Sequence, residues 1–284
     1  MRKTIAVTGG SGNVAQEIFR QRYKYDNMIL LSKRELDVTN EQQVYESFRK
    51  IKPDMIIHTA AMADVDQCEA LPVKATETNG IGTYYVAKEA RKLGAKLIYL
   101  SSDYVFDGRK FRPYEEEDAR HPLSVYGIGK LLGEEFVRAL LKDATIIRTS
   151  WLFGGEGTNF VRKIIEKGKV NDDVLVVSDQ VGSPTYVPDL ISAMFALLEQ
   201  KPGIYHVANG GSCSRYELAK SIFTFAGFDK TSIRPVTTEE FQLQAPRPAY
   251  SVLSQKKLNE LGIEMRDWQQ ALEEYMRKEG FIRD

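Results

Sequence analysis

A short apolar segment near the start of the chain, residues 4–7, runs directly into a glycine-rich turn and then into a segment of helical composition. The turn reads Thr-Gly-Gly-Ser-Gly-Asn-Val-Ala over residues 8–15. A strand–turn–helix unit of this kind directs bare backbone N–H groups and a helix dipole at a diphosphate. The turn is therefore predicted to bind a dinucleotide through Gly9, Gly12, Asn13 and Val14.

Short apolar segments alternate with helical segments through the first half of the chain. Strands are predicted at 4–7, 28–31, 54–58, 96–100 and 144–148, and helices at 41–50, 75–93 and 127–141. The strand segments are apolar throughout, which is typical of parallel strands that are buried on both faces. Right-handed crossovers then give a doubly wound parallel sheet, an α/β fold of the Rossmann type.

The second half of the chain is less regular, and we expect it to form a smaller, mixed lobe. Strand-like and helical segments interleave there without the even spacing of the first half. The predicted division places a dinucleotide-binding Rossmann domain at 1–150, with short returns from later segments such as 187–208. Most of 151–284 is then predicted to form a C-terminal lobe that binds the substrate.

Charge is balanced, with 39 basic and 39 acidic residues and a formal net charge of zero. This balance argues against a nucleic-acid partner and against an electrostatic membrane anchor, and it favours a small molecule. No apolar run is long enough for a signal peptide or a membrane span, so we expect a cytoplasmic protein. The two cysteines and three histidines lack metal-ligand spacing, so we expect no bound metal.

A strand-end hydroxyl and a Tyr-x-x-x-Lys pair are the features that indicate chemistry. The strand predicted at 96–100 runs into Ser-Ser-Asp-Tyr-Val-Phe-Asp-Gly, and Tyr126 and Lys130 share one face of a later helix. A hydroxyl, a phenol and an ammonium that converge can polarise a carbonyl oxygen and protonate it, which is the chemistry of carbonyl reduction. The predicted catalytic residues are Ser102, Tyr126 and Lys130.

Two further Tyr-x-x-x-Lys pairs show that spacing alone is weak evidence. Tyr84/Lys88 and Tyr216/Lys220 have the same spacing, but neither follows a strand that ends in Ser-Ser-Asp. We interpret both as helix-surface pairs, or as core tyrosines beside solvated lysines.

The loop after the second predicted strand indicates which cofactor is used. It reads Ser32-Lys33-Arg34, where an NAD-binding domain carries an acid for the ribose 2′-hydroxyl. Two cations and a hydroxyl, with no competing carboxylate, suit a 2′-phosphate, so we expect NADPH to be preferred, with NADH also accepted. The alternative is a solvated turn. Asp37 and Val38 are predicted to contact the adenine, and a stretch of mostly small residues follows the third strand to admit the cofactor: Ala60, Ala61, Met62 and Ala63.

These motifs together resemble the extended short-chain dehydrogenase/reductase superfamily. More narrowly, the segments 60–69, 101–108, 148–154, 179–185 and 247–253 are similar to the dTDP-4-dehydrorhamnose reductase family, and the similarity runs almost end to end. The resemblance implies a dTDP-sugar substrate, dTDP-4-dehydro-L-rhamnose, whose C4 ketone is reduced to give dTDP-L-rhamnose for cell-surface polysaccharide. A homodimer is a further expectation.

The resemblance also implies roles for single residues. Tyr126 would be the proton donor, and Lys130 would bind the nicotinamide ribose and lower the pKa of the phenol. Ser102 stands where the family usually has Thr, and both residues supply a hydroxyl. Some members bind Mg²⁺ through acidic side chains, but here Val-Pro precedes Asp189 in that region, so no metal is expected.

Three more residues are implied to contact the substrate: Asp103, Trp151 and Arg247. Trp151 would offer a flat apolar face to a deoxysugar, and the alternative is a core aromatic at the junction of the lobes. Arg247 would bind the substrate diphosphate, and a surface salt bridge explains it about as well.

Two other functions remain open at this stage. A reductase of the same substrate would give the 6-deoxytalose epimer if the hydride reached the other face of the ketone. The chain is also similar to the regulatory β subunit of methionine adenosyltransferase, which acts as a binding partner. The intact set of Ser102, Tyr126 and Lys130 favours an enzyme.

Overall fold

The computed structural model describes residues 3–22, 27–170, 173–228 and 232–282. Its strands are β1 (Thr4–Thr8), β2 (Asn27–Leu31), β3 (Met55–His58), β4 (Lys96–Ser102), β5 (Thr145–Thr149), β6 (Leu152–Phe153), β7 (Asp173–Val177), β8 (Val181–Gly182), β9 (Thr185–Tyr186), β10 (Gly203–His206), β11 (Cys213–Ser214) and β12 (Ser232–Val236). The five strands predicted in the first half are therefore confirmed, with ends that shift by one or two residues.

The helices alternate with these strands. They are α1 (Asn13–Arg20), α2 (Glu41–Ile51), α3 (Val65–Ala70), α4 (Pro72–Thr76), α5 (Gly82–Leu93), α6 (Val125–Leu140), α7 (Phe160–Val170), α8 (Val187–Leu197), α9 (Arg215–Ala226), α10 (Thr238–Phe241), α11 (Lys256–Glu260) and α12 (Trp268–Lys278). The single helix predicted at 75–93 is interrupted by a π-helical turn, Glu77–Ile81, between α4 and α5. Within that turn the Asn79 side chain exchanges two hydrogen bonds with the Met62 backbone.

Six strands form the central sheet, in the order β2-β1-β3-β4-β5-β10, and every neighbouring pair is parallel. The chain moves outward in one direction from β1 to β2, and in the other direction from β3 to β10. The strand order therefore reverses between β1 and β3, which confirms the doubly wound α/β fold. In such sheets the crevice outside the carboxyl ends of the strands at the reversal is where ligands bind.

Helices cover both faces of the central sheet. On one face, apolar side chains of α1 and α8 pack against β1, β3 and β5. On the other face, side chains of α2, α5 and α6 pack against β1, β3 and β4. Burial of apolar side chains on both faces explains why the strand segments have no polar alternation. Because α8 and β10 lie on this sheet, the segment 187–206 returns to it from the second half of the chain.

A second apolar cluster joins α7, α9 and α12 around β7 and the aromatic side chains of Phe153, Tyr186 and Tyr275. The strands here form small pairs, parallel in β7–β12 and β6–β9 and antiparallel in β8–β11. A capping box between Ser214 and Glu217 begins α9. This mixed lobe matches the expected C-terminal architecture, and the division at residue 150 stays a prediction. Within the described ranges, none of the helices has the length and apolar character that crossing a membrane requires.

Candidate active site

One large cleft, of about 950 Å³, lies over the carboxyl ends of β1, β3, β4 and β5 and extends to the C-terminal lobe. Most of the site residues that the sequence predicts line this cleft. They are Gly9, Gly12, Asn13, Val14, Lys33, Asp37, Val38, Ala60, Ala61, Ala63, Ser102, Asp103, Tyr126, Lys130, Trp151 and Arg247. Three predicted cofactor residues, Ser32, Arg34 and Met62, are not among the lining residues.

The glycine-rich turn has the geometry of a diphosphate cradle. Gly9 adopts a φ of +73°, and a Cβ there would lie 2.8 Å from the Ala60 backbone, so only glycine fits. The Gly12 N–H closes the turn onto the Gly9 carbonyl oxygen at 2.8 Å. Helix α1 then begins without a side-chain cap, which leaves its first N–H groups available to an anion. The Asn13 carboxamide accepts from the Gly157 N–H at 3.1 Å, so it anchors a loop of the second lobe over the turn.

At the adenine end, one expectation needs correction. The Ser32 hydroxyl and N–H both donate to the Glu35 carboxylate, at 2.7 and 2.8 Å, so a carboxylate does compete in this turn. The Lys33 ammonium lies 3.8 Å from Asp37, and its side chain is 71% exposed. Arg34 is exposed to solvent outside the cleft lining. Glu35 lies three residues beyond Ser32, away from the position at which NAD-binding domains carry an acid, so the residue at that position alone does not indicate this contact.

Asp37 and Val38, which were both predicted to contact the adenine, differ in their surroundings. Val38 is buried and lines the cleft, whereas the Asp37 carboxylate accepts from both the N–H and the hydroxyl of Thr39. Met62 is not among the residues that line the cleft, and its backbone is hydrogen-bonded through both its N–H and its carbonyl. Its N–H and carbonyl pair with Asn79, and the Cys68 thiol donates to the same carbonyl at 3.3 Å. Met62 therefore shapes the loop, and its alanine neighbours face the cofactor space.

At the opposite end of the cleft, the Ser102 hydroxyl at the end of β4 lies close to helix α6, as predicted. Ser102 lies at the end of β4, is only 6% exposed, and donates to Asp103 at 2.9 Å. Tyr126 lines the same end of the cleft as Ser102. Burial raises the pKa of Tyr126 well above its usual range, and the nearby Ser102 hydroxyl partly opposes that shift. The structure therefore brings two of the predicted catalytic groups close together.

Lys130 lies one helical turn further along α6 and is only 4% exposed. Within the described ranges its ammonium makes no ion pair; it lies 4.7 Å from the centre of the Tyr99 ring. Burial lowers the pKa of Lys130 to about 8, although the nearby Glu134 carboxylate acts in the opposite direction. A buried, unpaired cation in a cleft is costly, which indicates a ligand that supplies its partners.

Asp103 is fully buried beside Ser102, and its carboxylate also accepts from the Ser251 hydroxyl at 2.6 Å. Burial raises the pKa of Asp103 to about 6, while the two hydroxyl donors lower it. Because Ser251 belongs to the C-terminal segment, Asp103 ties the end of β4 to the second lobe.

Glu134 fixes α6 to the sheet one turn beyond Lys130. Its carboxylate accepts from the Ser101 hydroxyl at 2.6 Å and from Arg148 of β5 at 2.7 and 2.8 Å, and both ionic side chains are completely buried. We call Ser101, Glu134 and Arg148 the brace. It joins the strand that carries Ser102 to the helix that carries Tyr126 and Lys130, so it sets their relative position.

The substrate end of the cleft contains Trp151 and two arginines. Trp151 has a φ of +45°, unusual for a bulky residue, and the Arg215 guanidinium stacks 3.5 Å from the centre of its ring. Arg247 is paired with Asp66 at 2.8 Å, so the salt bridge that the sequence left as an alternative is present. Arg215 makes no ion pair within the described ranges, although it lines the same cleft.

Sequence reasoning missed Arg215 and the brace. An arginine at the end of an apolar strand segment, as at position 148, was an available signal, because an ionisable residue is rarely buried without a partner. Glu134 also continues the four-residue spacing of Tyr126 and Lys130 along one helix face. Arg215 carried no comparable signal, since it begins a helix in the less regular half.

A metal ion has no evident place among the described residues, where no three His, Cys, Asp or Glu side chains are grouped to hold one. Asp189, the acidic residue after Val-Pro, is held by Arg266 at 2.8 and 3.0 Å and accepts from Asn209. The expectation that no metal is bound stays a prediction.

The fold and the site together define a class of protein: a dinucleotide-dependent oxidoreductase of the extended short-chain dehydrogenase/reductase type. A cradle for a diphosphate lies at the reversal of strand order, and a phenol, a hydroxyl and a buried ammonium meet two strands away. The family model described as RmlD substrate binding domain matches residues 2–280.

Curated relatives and solved structures agree. The "Spore coat polysaccharide biosynthesis protein SpsK" of Bacillus subtilis is 44% identical over 96% of this chain and 97% of that protein. The dTDP-4-dehydrorhamnose reductase of Mycolicibacterium smegmatis is 35% identical over 96% and 85%. The crystal structure of dTDP-4-dehydrorhamnose reductase from Bacillus anthracis, in complex with NADP, superposes with a TM-score of 0.94 at 40% identity, covering 98% of this chain and 100% of that one. The chain therefore belongs to the dTDP-4-dehydrorhamnose reductase family.

Proposed function

We propose that this enzyme uses a nicotinamide cofactor to reduce the C4 ketone of dTDP-4-dehydro-L-rhamnose, giving dTDP-L-rhamnose for cell-surface polysaccharide. The observation that carries the proposal is that Ser102, Tyr126 and Lys130 line one end of the cleft, where the buried Lys130 ammonium has no ion-pair partner among the described residues. These three groups stand at the cleft end where the ring of a dinucleotide held by the glycine-rich turn would lie. Membership of the reductase family supplies the class of substrate.

Each of the three groups has a distinct task in the proposed mechanism. When bound, the reduced nicotinamide supplies a hydride to the ketone carbon. With substrate bound, the Ser102 hydroxyl would turn from Asp103 and, together with Tyr126, donate to the ketone oxygen, where negative charge develops. Tyr126 would then transfer its proton to that oxygen. The Lys130 ammonium stabilises the phenolate that remains, which offsets the burial that raises the pKa of Tyr126. Lys130 also donates to the hydroxyls of the nicotinamide ribose.

The cofactor space fits a dinucleotide along its length. Gly9, Gly12 and the first N–H groups of α1, which have no side-chain cap, would hold the diphosphate. The remaining predicted contacts, with the adenosine half and the sheet edge, would come from Asn13, Val14, Ser32, Lys33, Arg34, Asp37, Val38, Ala60, Ala61, Met62 and Ala63. Met62 acts through the loop backbone in this proposal, since it is not in the lining. The division into a cofactor domain at 1–150, with the return at 187–208, and a mostly substrate-binding lobe at 151–284 follows from this placement.

We further propose that NADPH is preferred over NADH. Lys33 lines the cleft at the adenine end, and Arg34 is adjacent to it on the same exposed turn. The B. anthracis relative was solved with NADP. Glu35 reduces the advantage, because its carboxylate holds the Ser32 hydroxyl that a 2′-phosphate would otherwise receive.

The nucleotide sugar would occupy the other end of the cleft. Trp151 would pack its apolar ring against the deoxysugar, and Asp103 would accept from a sugar hydroxyl. Arg215 is better placed than Arg247 to bind the substrate diphosphate, because Asp66 already neutralises Arg247. A homodimer and a cytoplasmic location complete the proposal.

The direct test is a steady-state assay of reduced-nicotinamide consumption with dTDP-4-dehydro-L-rhamnose, followed by NMR of the product. The proposal expects turnover and a C4 configuration that matches rhamnose. A 6-deoxytalose product would assign the other hydride face, and absence of turnover would favour a regulatory subunit like that of methionine adenosyltransferase. Both outcomes would overturn the proposed reaction.

A further inference from the structure

Thr149 ends β5 with a buried hydroxyl that has no hydrogen-bond partner among the described residues. The residue is 4% exposed. The other two buried polar atoms with this property, in Glu89 and Arg162, belong to side chains whose other atoms form ion pairs. An unpaired buried hydroxyl is costly, so Thr149 indicates a partner that the free protein does not supply.

The strand register places this hydroxyl beside Ser102. Thr149 is the direct partner of Ser102 in the β4–β5 pair. The preceding residues, Ser101 and Arg148, both reach the brace partner Glu134 on the α6 side of the sheet. Since side chains alternate along a strand, Ser102 and Thr149 point to the opposite side, about 5 Å apart as neighbours in a parallel sheet.

The cleft around Thr149 limits what its partner can be. Sheet order runs from the diphosphate turn after β1 through β3 and β4 to β5, so Thr149 lies one strand beyond Ser102. The lining of the same cleft includes apolar side chains such as Leu152 and Val187, which suit the flat face of an aromatic ring. A nicotinamide ring placed there has one polar substituent, a carboxamide, which needs a hydrogen-bond partner in apolar surroundings.

We propose that the Thr149 hydroxyl hydrogen-bonds the nicotinamide carboxamide and fixes the rotation of the ring, so that C4 faces the ketone held by Ser102 and Tyr126. This inference rests on the proposed function and adds a cofactor-positioning residue to it. A ring held by its carboxamide presents a single face of C4 to the substrate, which is what a hydride transfer of defined geometry needs.

The test compares two variants with two ligands. Thr149→Val keeps the shape and removes the hydroxyl, and Thr149→Ser keeps the hydroxyl. Dissociation constants are measured for NADPH and for adenosine 2′,5′-bisphosphate, which lacks the nicotinamide half. We expect Thr149→Val to weaken NADPH binding by about 3- to 10-fold, since one hydrogen bond is lost, and to leave binding of the bisphosphate unchanged. Thr149→Ser should bind both ligands like the wild type.

Three results would overturn the inference. Equal weakening of both ligands by Thr149→Val would mean that the change acts through the fold or the diphosphate cradle. Unchanged NADPH binding with a lower kcat would mean that the Thr149 hydroxyl contacts the substrate ketone and not the nicotinamide carboxamide. Unchanged binding and unchanged kcat would leave the hydroxyl without any ligand. A wild-type protein that fails to bind NADPH would contradict the proposed function itself, so the two failures are distinguishable.

Discussion

The two ends of the cofactor cleft differ in how firmly the protein holds its side chains. At the nicotinamide end, Ser102 and Lys130 are almost fully buried, sit on a strand and a helix, and are joined through the buried brace. At the adenine end, Ser32 and Lys33 sit on a turn, and the Lys33 side chain is 71% exposed. Chemistry needs fixed geometry, whereas recognition of a charged phosphate tolerates mobile, screened cations. Substitutions should therefore lower activity far more at the nicotinamide end than at the adenine end.

The largest effect is expected from Tyr126→Phe, which removes the proton donor and keeps the ring. We predict that kcat falls by about 10² or more, while NADPH binding stays nearly unchanged. The matched control is Tyr84→Phe, because Tyr84/Lys88 has the same spacing but its lysine is paired with Glu41 on the surface. Steady-state kinetics that show near-wild-type turnover in Tyr126→Phe would mean that Tyr126 has no more of a catalytic role than Tyr84.

Ser102 should show a smaller but still large effect. Ser102→Ala removes a donor to the developing oxyanion, and we expect a rate loss of about 10- to 10³-fold. Ser102→Thr preserves the hydroxyl at the strand end and should be tolerated. Measured kcat values that are equal for the wild type and both variants would reduce Ser102 to a cap for the turn that follows β4.

Lys130 makes the nicotinamide end sensitive to pH. Burial lowers its pKa to about 8, so the ammonium is present below that pH and is lost as pH rises through it. We expect kcat/KM for NADPH, which reports the free enzyme, to fall above about pH 8 by up to about tenfold per pH unit. Lys130→Met should lower kcat and weaken NADPH binding below about pH 8, because one ammonium serves both the phenol and the ribose, and the difference from the wild type should shrink above that pH. A profile that stays flat beyond pH 9, or unchanged cofactor affinity in Lys130→Met, would contradict the dual role.

The smallest effects belong to the adenine end. Wild-type enzyme should prefer NADPH to NADH by roughly tenfold in kcat/KM, and Lys33→Ala with Arg34→Ala should erase most of that preference with little change for NADH. Glu35→Gln removes the competing carboxylate and should raise the preference by about twofold. Kinetics with both cofactors measure each value. A double variant that still prefers NADPH would show that the 2′-phosphate is recognised elsewhere.

The contrast between the two ends of the cleft also explains which features the sequence could predict. The sheet, the glycine-rich turn and the meeting of Ser102 with Tyr126 all depend on regular elements, whose periodicity is visible in the residues themselves. The Glu35 contact depends on the local geometry of a short turn, which a charge pattern does not specify. The pairing of Arg247 with Asp66 joins residues 181 positions apart, and the sequence offered it only as an alternative.

The partners of buried polar groups were the other feature that the sequence did not predict. The position of Arg148 in an apolar strand hinted at a partner, but only the fold identifies Glu134 and Ser101 as those partners. Among the described residues, the Thr149 hydroxyl has no hydrogen-bond partner and the Arg215 guanidinium, stacked on Trp151, has no ion-pair partner, and both are properties of the assembled cleft. Being unpaired depends on every neighbour in space, so no local pattern could reveal it.

The central claim is direct hydride transfer to the ketone carbon at the nicotinamide end, and isotope transfer tests it most directly. The enzyme is incubated with NADPH carrying deuterium at C4 on each face in turn, together with dTDP-4-dehydro-L-rhamnose, and the product is analysed by NMR. The account predicts one deuterium at C4 of the rhamnose product with one labelled cofactor and none with the other. Deuterium absent from C4 with both labelled cofactors, or found at another carbon, would contradict direct transfer at this site.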